Sequence, residues 1–156
     1  MIQRNIPGWG TLRIENIILD LNGTLALDGK IPSQARKKVR SLAKEVRIYI
    51  LTADTQGTAG EETGGLNVEW VKVSQKEGAK DKMRFLNSLN PKRTAAIGNG
   101  NNDSFVLQEA SLGIAVMGGE GLSIAAMKNA DLVVKSVADA LDLFLRPKRL
   151  TATLRG

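Results

Sequence analysis

Cysteine and histidine are both absent from this sequence. Without cysteine the chain has no disulfide framework and no thiolate chemistry. Without histidine it has no Ser–His or Cys–His nucleophile and no imidazole zinc site. Any catalysis must therefore rely on carboxylates, hydroxyls, amides and lysines, and the only metal ions that suit such ligands are hard ones.

Aromatic residues are scarce as well, at 4% of the chain. Single-stranded nucleic acids bind to aromatic stacking platforms, so we interpret the formal net charge of +6 as a solvated basic surface and do not expect nucleic acid as a partner. No apolar run is long enough to span a membrane. The first residues, Met1 to Asn5, lack the apolar core and cleavage site of a signal peptide. We therefore expect a cytoplasmic protein with no membrane partner.

Apolar runs alternate with helix-spaced stretches along the 156 residues. Strands are predicted over 13–19, 46–51, 68–73, 94–97, 113–116 and 132–134. Helices are predicted over 33–43, 56–64, 79–89, 101–110, 121–127 and 137–145. This alternation predicts one α/β domain over 1–156, with a mostly parallel sheet covered on both faces and a core of about 13–145. The chain ends, Met1 to Gly10 and Arg146 to Gly156, are predicted to be flexible arms.

One segment at the end of the first predicted strand is especially informative. The apolar run Ile17-Ile18-Leu19 leads directly into Asp20-Leu21-Asn22-Gly23-Thr24-Leu25. An aspartate that leaves a buried strand and enters a glycine turn presents its carboxylate at the sheet edge where α/β folds bind ligands. Such a carboxylate can attack a phosphoryl group or hold a hard cation. The alternative is an ordinary strand followed by a common Asn-Gly turn.

Three further polar segments follow at strand ends or helix starts. They are Leu51-Thr52-Ala53-Asp54, Asp81-Lys82 and Gly98-Asn99-Gly100-Asn101-Asn102-Asp103. The hydroxyl of Thr52 suits a hydrogen bond to a phosphoryl oxygen, and the backbone N–H groups of Gly23 and Thr24 suit a phosphate-binding nest. Asp103 could serve a metal ion, or it could only compensate the dipole of the helix that it opens.

These four segments, in this order, resemble the motifs of the haloacid dehalogenase superfamily of phosphotransferases. The phosphorylation domain of P-type ATPases is the most similar, above all over Ile97 through Leu132, and the resemblance runs from about residue 14 to residue 145. It implies a Rossmann-like three-layer αβα sandwich with the sheet order 3-2-1-4-5 in the numbering of the predicted strands. It also implies a magnesium-dependent phosphohydrolase that forms an aspartyl phosphate on Asp20.

The resemblance also implies roles for individual residues. The catalytic residues would be Asp20, Asn22, Thr52 and Lys82. Substrate would be bound by Gly23, Thr24, Ala53 and Asn102. Magnesium would be held by Asp20, Asn99, Asp103 and the backbone carbonyl of Asn22. Lys82 is preferred to Lys80 because it lies on the edge of the apolar face of its helix, the alternative being a solvated lysine.

Two asparagines depart from the family pattern. Asn22 stands where the phosphatases carry an aspartate that protonates the leaving group and activates water, and an amide does neither. Asn99 stands where the family has a metal-binding aspartate, and it brings one less negative charge, so magnesium binding should be weak. The alternative function is therefore a catalytically degenerate member that binds phosphate or a partner protein.

The sequence leaves no room for a cap domain over the site. Leu25 to Pro32 holds only a hairpin around Asp28-Gly29, and Thr52 to Lys82 holds one helix and one strand. By resemblance, a capless member acts on a phosphorylated small molecule or macromolecule, and it can close its open site by forming a homo-oligomer. The later loop Gly118-Gly119-Glu120-Gly121 is interpreted as a turn into the next helix.

Overall fold

The computed structural model describes residues 1–53 and 64–156. Within them lie eight strands: β1 Ile2–Ile6, β2 Gly10–Ile14, β3 Asn16–Asp20, β4 Arg47–Thr52, β5 Glu69–Lys72, β6 Thr94–Gly98, β7 Leu112–Val116 and β8 Leu132–Val134. The same residues form six α-helices: α1 Ser33–Leu42, α2 Gly78–Ser88, α3 Ser104–Glu109, α4 Ile124–Asn129, α5 Val137–Leu145 and α6 Pro147–Leu154. None of these helices is long and apolar enough to cross a membrane.

Six of the strands form one parallel sheet in the order β5-β4-β3-β6-β7-β8. In the numbering of the predicted strands this is 3-2-1-4-5, with the sixth predicted strand added at the edge, so the predicted order is confirmed. Buried side chains from α1, α5 and α6 pack on one face of the sheet, and side chains from α2, α3 and α4 pack on the other. The predicted three-layer α/β sandwich is therefore confirmed.

The position of β3 at the centre of the sheet follows from its sequence. Ile17 and Leu19 point into one apolar layer and Ile18 into the other, and all three are buried. A parallel strand covered on both faces needs such a continuous apolar run rather than an alternating one. The strand ends at Asp20, which is thereby delivered to the carboxyl edge of the sheet.

The two chain ends are not flexible arms, which corrects the prediction. β1 and β2 form an antiparallel hairpin whose apolar side chains are buried: Ile2, Ile6, Leu12 and Ile14. At the other end α6 buries Leu150 and Leu154, and Arg149 pairs with the buried Asp142 at 3.3 Å. Both ends thus belong to the core, because their few apolar residues are spaced to face it.

Several element boundaries also differ from the predicted ones. The strand predicted over 13–19 is divided at Glu15 between β2 and β3. The helix predicted over 101–110 begins as a 3-10 turn, Asn101–Asp103, before α3. The helix predicted over 121–127 lies at Ile124–Asn129, where the hydroxyl of Ser123 accepts from the N–H of Ala126. Most of the helix predicted over 56–64 falls outside the described residues.

Between β3 and α1 the chain forms only the small hairpin that the sequence predicts. The backbone groups of Leu27 and Lys30 exchange two hydrogen bonds of 3.0 Å. Asp28 and Gly29 both have positive φ, at 50° and 75°, as a two-residue type I′ turn requires. This stretch therefore contributes no cap domain over the carboxyl edge of the sheet.

We expect Leu150→Ala to lower the free energy of unfolding by about 2–4 kcal/mol, because it would leave a cavity beneath α6. The Leu150 side chain is 1% exposed, whereas Ile124 is 61% exposed. The control Ile124→Ala should change stability by no more than about 0.5 kcal/mol. Denaturant unfolding of both variants measures the difference, and an equally small effect in both would show that α6 is not part of the core.

Candidate active site

The polar segments identified in the sequence meet at the carboxyl edge of the sheet. Asp20 is the last residue of β3, and in the parallel register it lies opposite Leu51 of β4. Thr52, the last residue of β4, is buried. Leu19 lies opposite Ile97 of β6, so the loop that begins at Asn99 leaves the same edge. The parallel register alone therefore brings three of the four segments together.

The fourth segment supplies a buried lysine. Nζ of Lys82 donates to Oδ1 of Asp20 at 2.8 Å and to Oδ1 of Asp103 at 2.6 Å, and the side chain is only 2% exposed. Lys80, the alternative in the sequence, is 69% exposed and pairs with Glu77 at 2.8 Å. Of the two lysines, Lys82 is the one that lies at the site.

The electrostatics of this cluster are dominated by burial. Burial raises the pKa of Asp20 from 3.8 to about 7, and the nearby charge of Asp103 adds to the rise, while Lys82 and Thr24 only partly oppose it. For Lys82, burial favours a lower pKa, but the two carboxylates outweigh it and the pKa is raised. The lysine is therefore a permanent cation between the two aspartates.

Asp103 is held rigidly by the loop that precedes it. Its Oδ2 accepts hydrogen bonds from the backbone N–H groups of Asn99 at 3.1 Å and Gly100 at 3.0 Å. Gly98 has no side chain, and a Cβ there would come within 2.7 Å of the Asp103 Cβ. Since Oδ1 is bound to Lys82, both oxygens of Asp103 are engaged.

Thr24 and Asn99 form a second polar pair beside Asp20. The Thr24 hydroxyl lies 3.0 Å from Oδ1 of Asn99 and 3.4 Å from Oδ2 of Asp20. Nδ2 of Asn99 donates to the carbonyl of Gly121 at 3.1 Å, which fixes the amide with its oxygen toward Thr24. The Asn99 oxygen is thereby presented next to the Asp20 carboxylate.

The predicted phosphate nest at Gly23 and Thr24 is wrong. The N–H of Gly23 donates to the carbonyl of Ala26 at 2.9 Å, and the N–H of Thr24 donates to the carbonyl of Leu21 at 3.3 Å. These two donors close the turn and are not directed at a ligand. Thr24 contributes to the site through its hydroxyl instead.

The remaining predicted residues are less buried than Asp103 and Lys82. The Asn22 side chain is exposed and Ala53 is half-buried directly after Thr52. Asn102 is exposed. Its Oδ1 lies 3.0 Å from the position that a Cβ on Gly100 would take. Its Nδ2 lies 3.6 Å from the position that a Cβ on Gly78, the first residue of α2, would take. Their roles toward a substrate stay predictions.

The side chains predicted to bind magnesium offer only oxygen atoms, which suits a hard cation. One oxygen of Asp20 and the side-chain oxygen of Asn99 lie 3.4 Å and 3.0 Å from the Thr24 hydroxyl. Both oxygens of Asp103 already accept hydrogen bonds. Within residues 1–53 and 64–156 no three acidic side chains gather to form a metal cage. Magnesium is commonly held by one or two carboxylates, with water and phosphate oxygens completing its shell. The residues therefore fit magnesium that is bound together with a phosphorylated substrate.

Sequence analysis missed one residue near the site, Glu120. A side chain on Gly23 would collide with the Glu120 carboxylate and come within 2.8 Å of Nδ2 of Asn99. Glu120 therefore lies over the turn that follows Asp20. The signal that could have found it is the position of its loop, which leaves the carboxyl end of β7 at the same sheet edge as Asp20.

The fold is that of the haloacid dehalogenase superfamily, without a cap domain between β3 and α1. A protein from Legionella pneumophila assigned to subfamily III A of that superfamily is 19% identical, with a TM-score of 0.72 over 90% of this chain and 87% of that chain. The 3-deoxy-D-manno-octulosonate 8-phosphate phosphatase from Moraxella catarrhalis, in complex with magnesium, phosphate and KDO, is 16% identical, with a TM-score of 0.72 over 91% and 94%. The cobalt-bound phosphatase of the same kind from Haemophilus influenzae is 13% identical, with a TM-score of 0.72 over 92% and 94%.

Sequence relatives of this chain occur in Methanocaldococcus jannaschii, although no protein-family model matches it. The uncharacterized protein MJ0073 is 49% identical over 78 residues, which are 47% of this chain and 84% of that protein. The uncharacterized protein MJ0072 is 51% identical over 39 residues, which are 25% of this chain and 89% of that protein. The chain belongs to the same family as these two proteins.

We expect Asp20→Asn to melt roughly 5 °C above the wild type at pH 8 without divalent metal, because the variant removes a buried charge. A carboxyl group whose pKa is about 7 when folded and 3.8 when unfolded stabilises the fold fully below 3.8, and this contribution is lost as the pH rises through 7. The advantage of the variant should therefore be largest above pH 7 and fade toward pH 4.

Thermal unfolding of both proteins in EDTA over this pH range measures the effect. Taking the difference between them cancels the titration of groups elsewhere in the chain. A wild type that is the more stable protein at pH 8 would contradict the raised pKa of Asp20.

Proposed function

We propose that this protein is a magnesium-dependent phosphohydrolase that works through an aspartyl phosphate on Asp20. The observation that supports this most is the buried Lys82 ammonium between Asp20 and Asp103, at 2.8 Å and 2.6 Å. Phosphoryl transfer depends on positioning and on neutralising charge. A carboxylate at a sheet edge, held by a fixed cation, meets both needs. The shared fold with phosphatases solved with magnesium or cobalt is in keeping with the proposal.

The two oxygens of Asp20 have different surroundings. Lys82 holds Oδ1, which leaves Oδ2, approached by the Thr24 hydroxyl at 3.4 Å, to form the bond to phosphorus. As this bond forms, the bond between phosphorus and the leaving-group oxygen breaks, and the Lys82 charge remains beside the aspartyl ester. When bound, magnesium would neutralise the phosphoryl oxygens and favour the ionised form of Asp20.

The other predicted residues suit contacts to the substrate. Thr52 would donate its hydroxyl to a phosphoryl oxygen, while Ala53, the residue after it, and Asn102, the residue before Asp103, would contact the substrate. The small hairpin around Asp28 and Gly29 adds no cap domain between β3 and α1, and the expected substrate is a phosphorylated small molecule or macromolecule. A homo-oligomer would provide a way to cover the site, and the cytoplasm is the expected location.

A second candidate function is suggested by Asn22. Its exposed amide occupies the position from which related phosphatases exchange protons with leaving group and water, and an amide cannot do this. On this reading the protein is catalytically degenerate and binds phosphate or a partner protein through the same site.

Hydrolysis of p-nitrophenyl phosphate with and without magnesium distinguishes the two functions. We expect activity that requires magnesium and that falls by at least about a thousandfold in Asp20→Asn, since the nucleophile is removed. The matched control is Asp139→Asn, an exposed carboxylate in the first turn of α5, which should remain as active as the wild type.

Two results would contradict the proposed enzymatic function. If aryl, alkyl and acyl phosphates are all left intact by the wild type, the binding function is the correct one. If Asp20→Asn keeps the activity, the reaction does not run through an aspartyl phosphate on this residue.

A further inference from the structure

Among the site residues described so far, all within 1–53 and 64–156, none is an obvious group for proton transfer in the proposed reaction. Both oxygens of Asp103 are engaged, by Lys82 and by the N–H groups of Asn99 and Gly100. Asp20 is itself the nucleophile. Asn22 carries an amide, which neither protonates a leaving group nor takes a proton from water. A further carboxylate is needed close to the turn that follows Asp20.

Glu120 meets this requirement by its position. Its carboxylate lies against the Cα of Gly23, where a side chain would collide with it, and Gly23 directly follows position 22. The backbone of Gly23 has a φ of 78°, so glycine is needed there both for the turn and for the close approach. The carboxylate therefore stands one residue from the place where related phosphatases carry their proton-transfer aspartate.

The loop that carries Glu120 is fixed to the site at several points. The carbonyl of Gly121 accepts from Nδ2 of Asn99 at 3.1 Å, and the N–H of Ser123 donates to the carbonyl of Asn99 at 2.9 Å. On the other side, a Cβ on Gly118 would lie 3.0 Å from the carbonyl oxygen of Gly23. The loop thus packs on the Asp20 turn and on Asn99 together, which determines where the Glu120 carboxylate lies.

An asparagine at position 99 is more compatible with the nearby Glu120 carboxylate than an aspartate would be. Its Nδ2 group lies on the same side of Gly23 as Glu120 and donates to Gly121. An aspartate at position 99 would lose that donor and add a negative charge beside Glu120. Glu120 therefore relates to both departures from the family pattern. It offers the carboxylate that position 22 lacks, and the amide at position 99 adds no negative charge beside it.

The surroundings of Glu120 favour proton transfer over metal binding. Its side chain is exposed, and no lysine or arginine of residues 1–53 and 64–156 forms a salt bridge with it. The same residues contain no group of three acidic side chains that would hold a metal ion, so Glu120 does not join Asp20 and Asp103 in a cage. The carboxylate is accessible to water.

We propose that Glu120 is the proton-transfer group of this site and takes the role of the aspartate absent at position 22; this rests on the proposed function. In the first half-reaction the protonated Glu120 gives its proton to the leaving-group oxygen as the bond from that oxygen to phosphorus breaks. In the second, the Glu120 carboxylate takes a proton from the water that attacks phosphorus. The bond to Asp20 then breaks, and inorganic phosphate and the free Asp20 carboxylate are released.

The test compares the two half-reactions in Glu120→Gln. Acetyl phosphate with magnesium should phosphorylate the variant at close to the wild-type rate, because this leaving group needs little protonation. Dephosphorylation, followed after the donor is removed, should be slower by about a hundredfold or more. The matched control is Glu109→Gln, an exposed residue at the end of α3, which should leave both rates unchanged.

A second variant separates proton transfer from a merely structural role. Adding Asn22→Asp to Glu120→Gln returns a carboxylate to the neighbouring residue and should restore dephosphorylation at least tenfold. Magnesium affinity, measured by calorimetry, should be the same with and without Glu120→Gln. Failure of the rescue, or a loss of magnesium affinity that accounts for the slower rate, overturns the inference.

The outcomes also distinguish this inference from the proposed function. A wild-type dephosphorylation rate in Glu120→Gln overturns the role of Glu120 but leaves the phosphohydrolase intact, provided that Asp20→Asn is inactive. If the wild type never forms a phosphoenzyme with acetyl phosphate, the proposed function and this inference both fail.

Discussion

The contact of the Lys82 ammonium with two buried carboxylates is the interaction on which the rest of the site depends. Burying three charges is costly, and the raised pKa of Asp20 shows that the cation does not fully compensate this cost. The arrangement persists because each partner is held by a different part of the fold: Asp20 by the central strand, Lys82 by α2, and Asp103 by two backbone N–H groups. Burial of the sheet on both faces stabilises the fold enough to offset the unfavourable free energy of burying these charges.

The asparagines at positions 22 and 99 reduce the negative charge around this contact. With aspartates there, four carboxylates would surround one lysine, and a divalent cation would be needed to relieve their repulsion. With amides, Lys82 and two carboxylates leave a smaller excess of negative charge. In Asn99 the amide also has a structural use, since its nitrogen bonds to Gly121 and its oxygen accepts from Thr24. This connects the Asp20 turn to the loop that carries Glu120.

Much of the fold and part of the site could be predicted from the sequence. Strands buried on both faces are continuous apolar runs, so β3 and the placement of Asp20 at its end follow directly. Lys82 could be preferred to Lys80 as the site lysine because helical spacing separates the inner face of α2 from its outer face. The chain ends could not be predicted, since their core contacts depend on isolated residues such as Ile6 and Leu150. The use of the Gly23 and Thr24 N–H groups within the turn, and the approach of Glu120 to Gly23, are likewise set by tertiary packing.

Trapping the covalent intermediate tests the central claim most directly. The protein is mixed with acetyl phosphate and magnesium, quenched in acid, digested, and analysed by peptide mass spectrometry. We expect the added mass of one phosphoryl group on Asp20, and no phosphorylated peptide at this position from Asp20→Asn. Phosphorylation at another residue, or an unmodified Asp20 peptide at every quench time, would contradict the account.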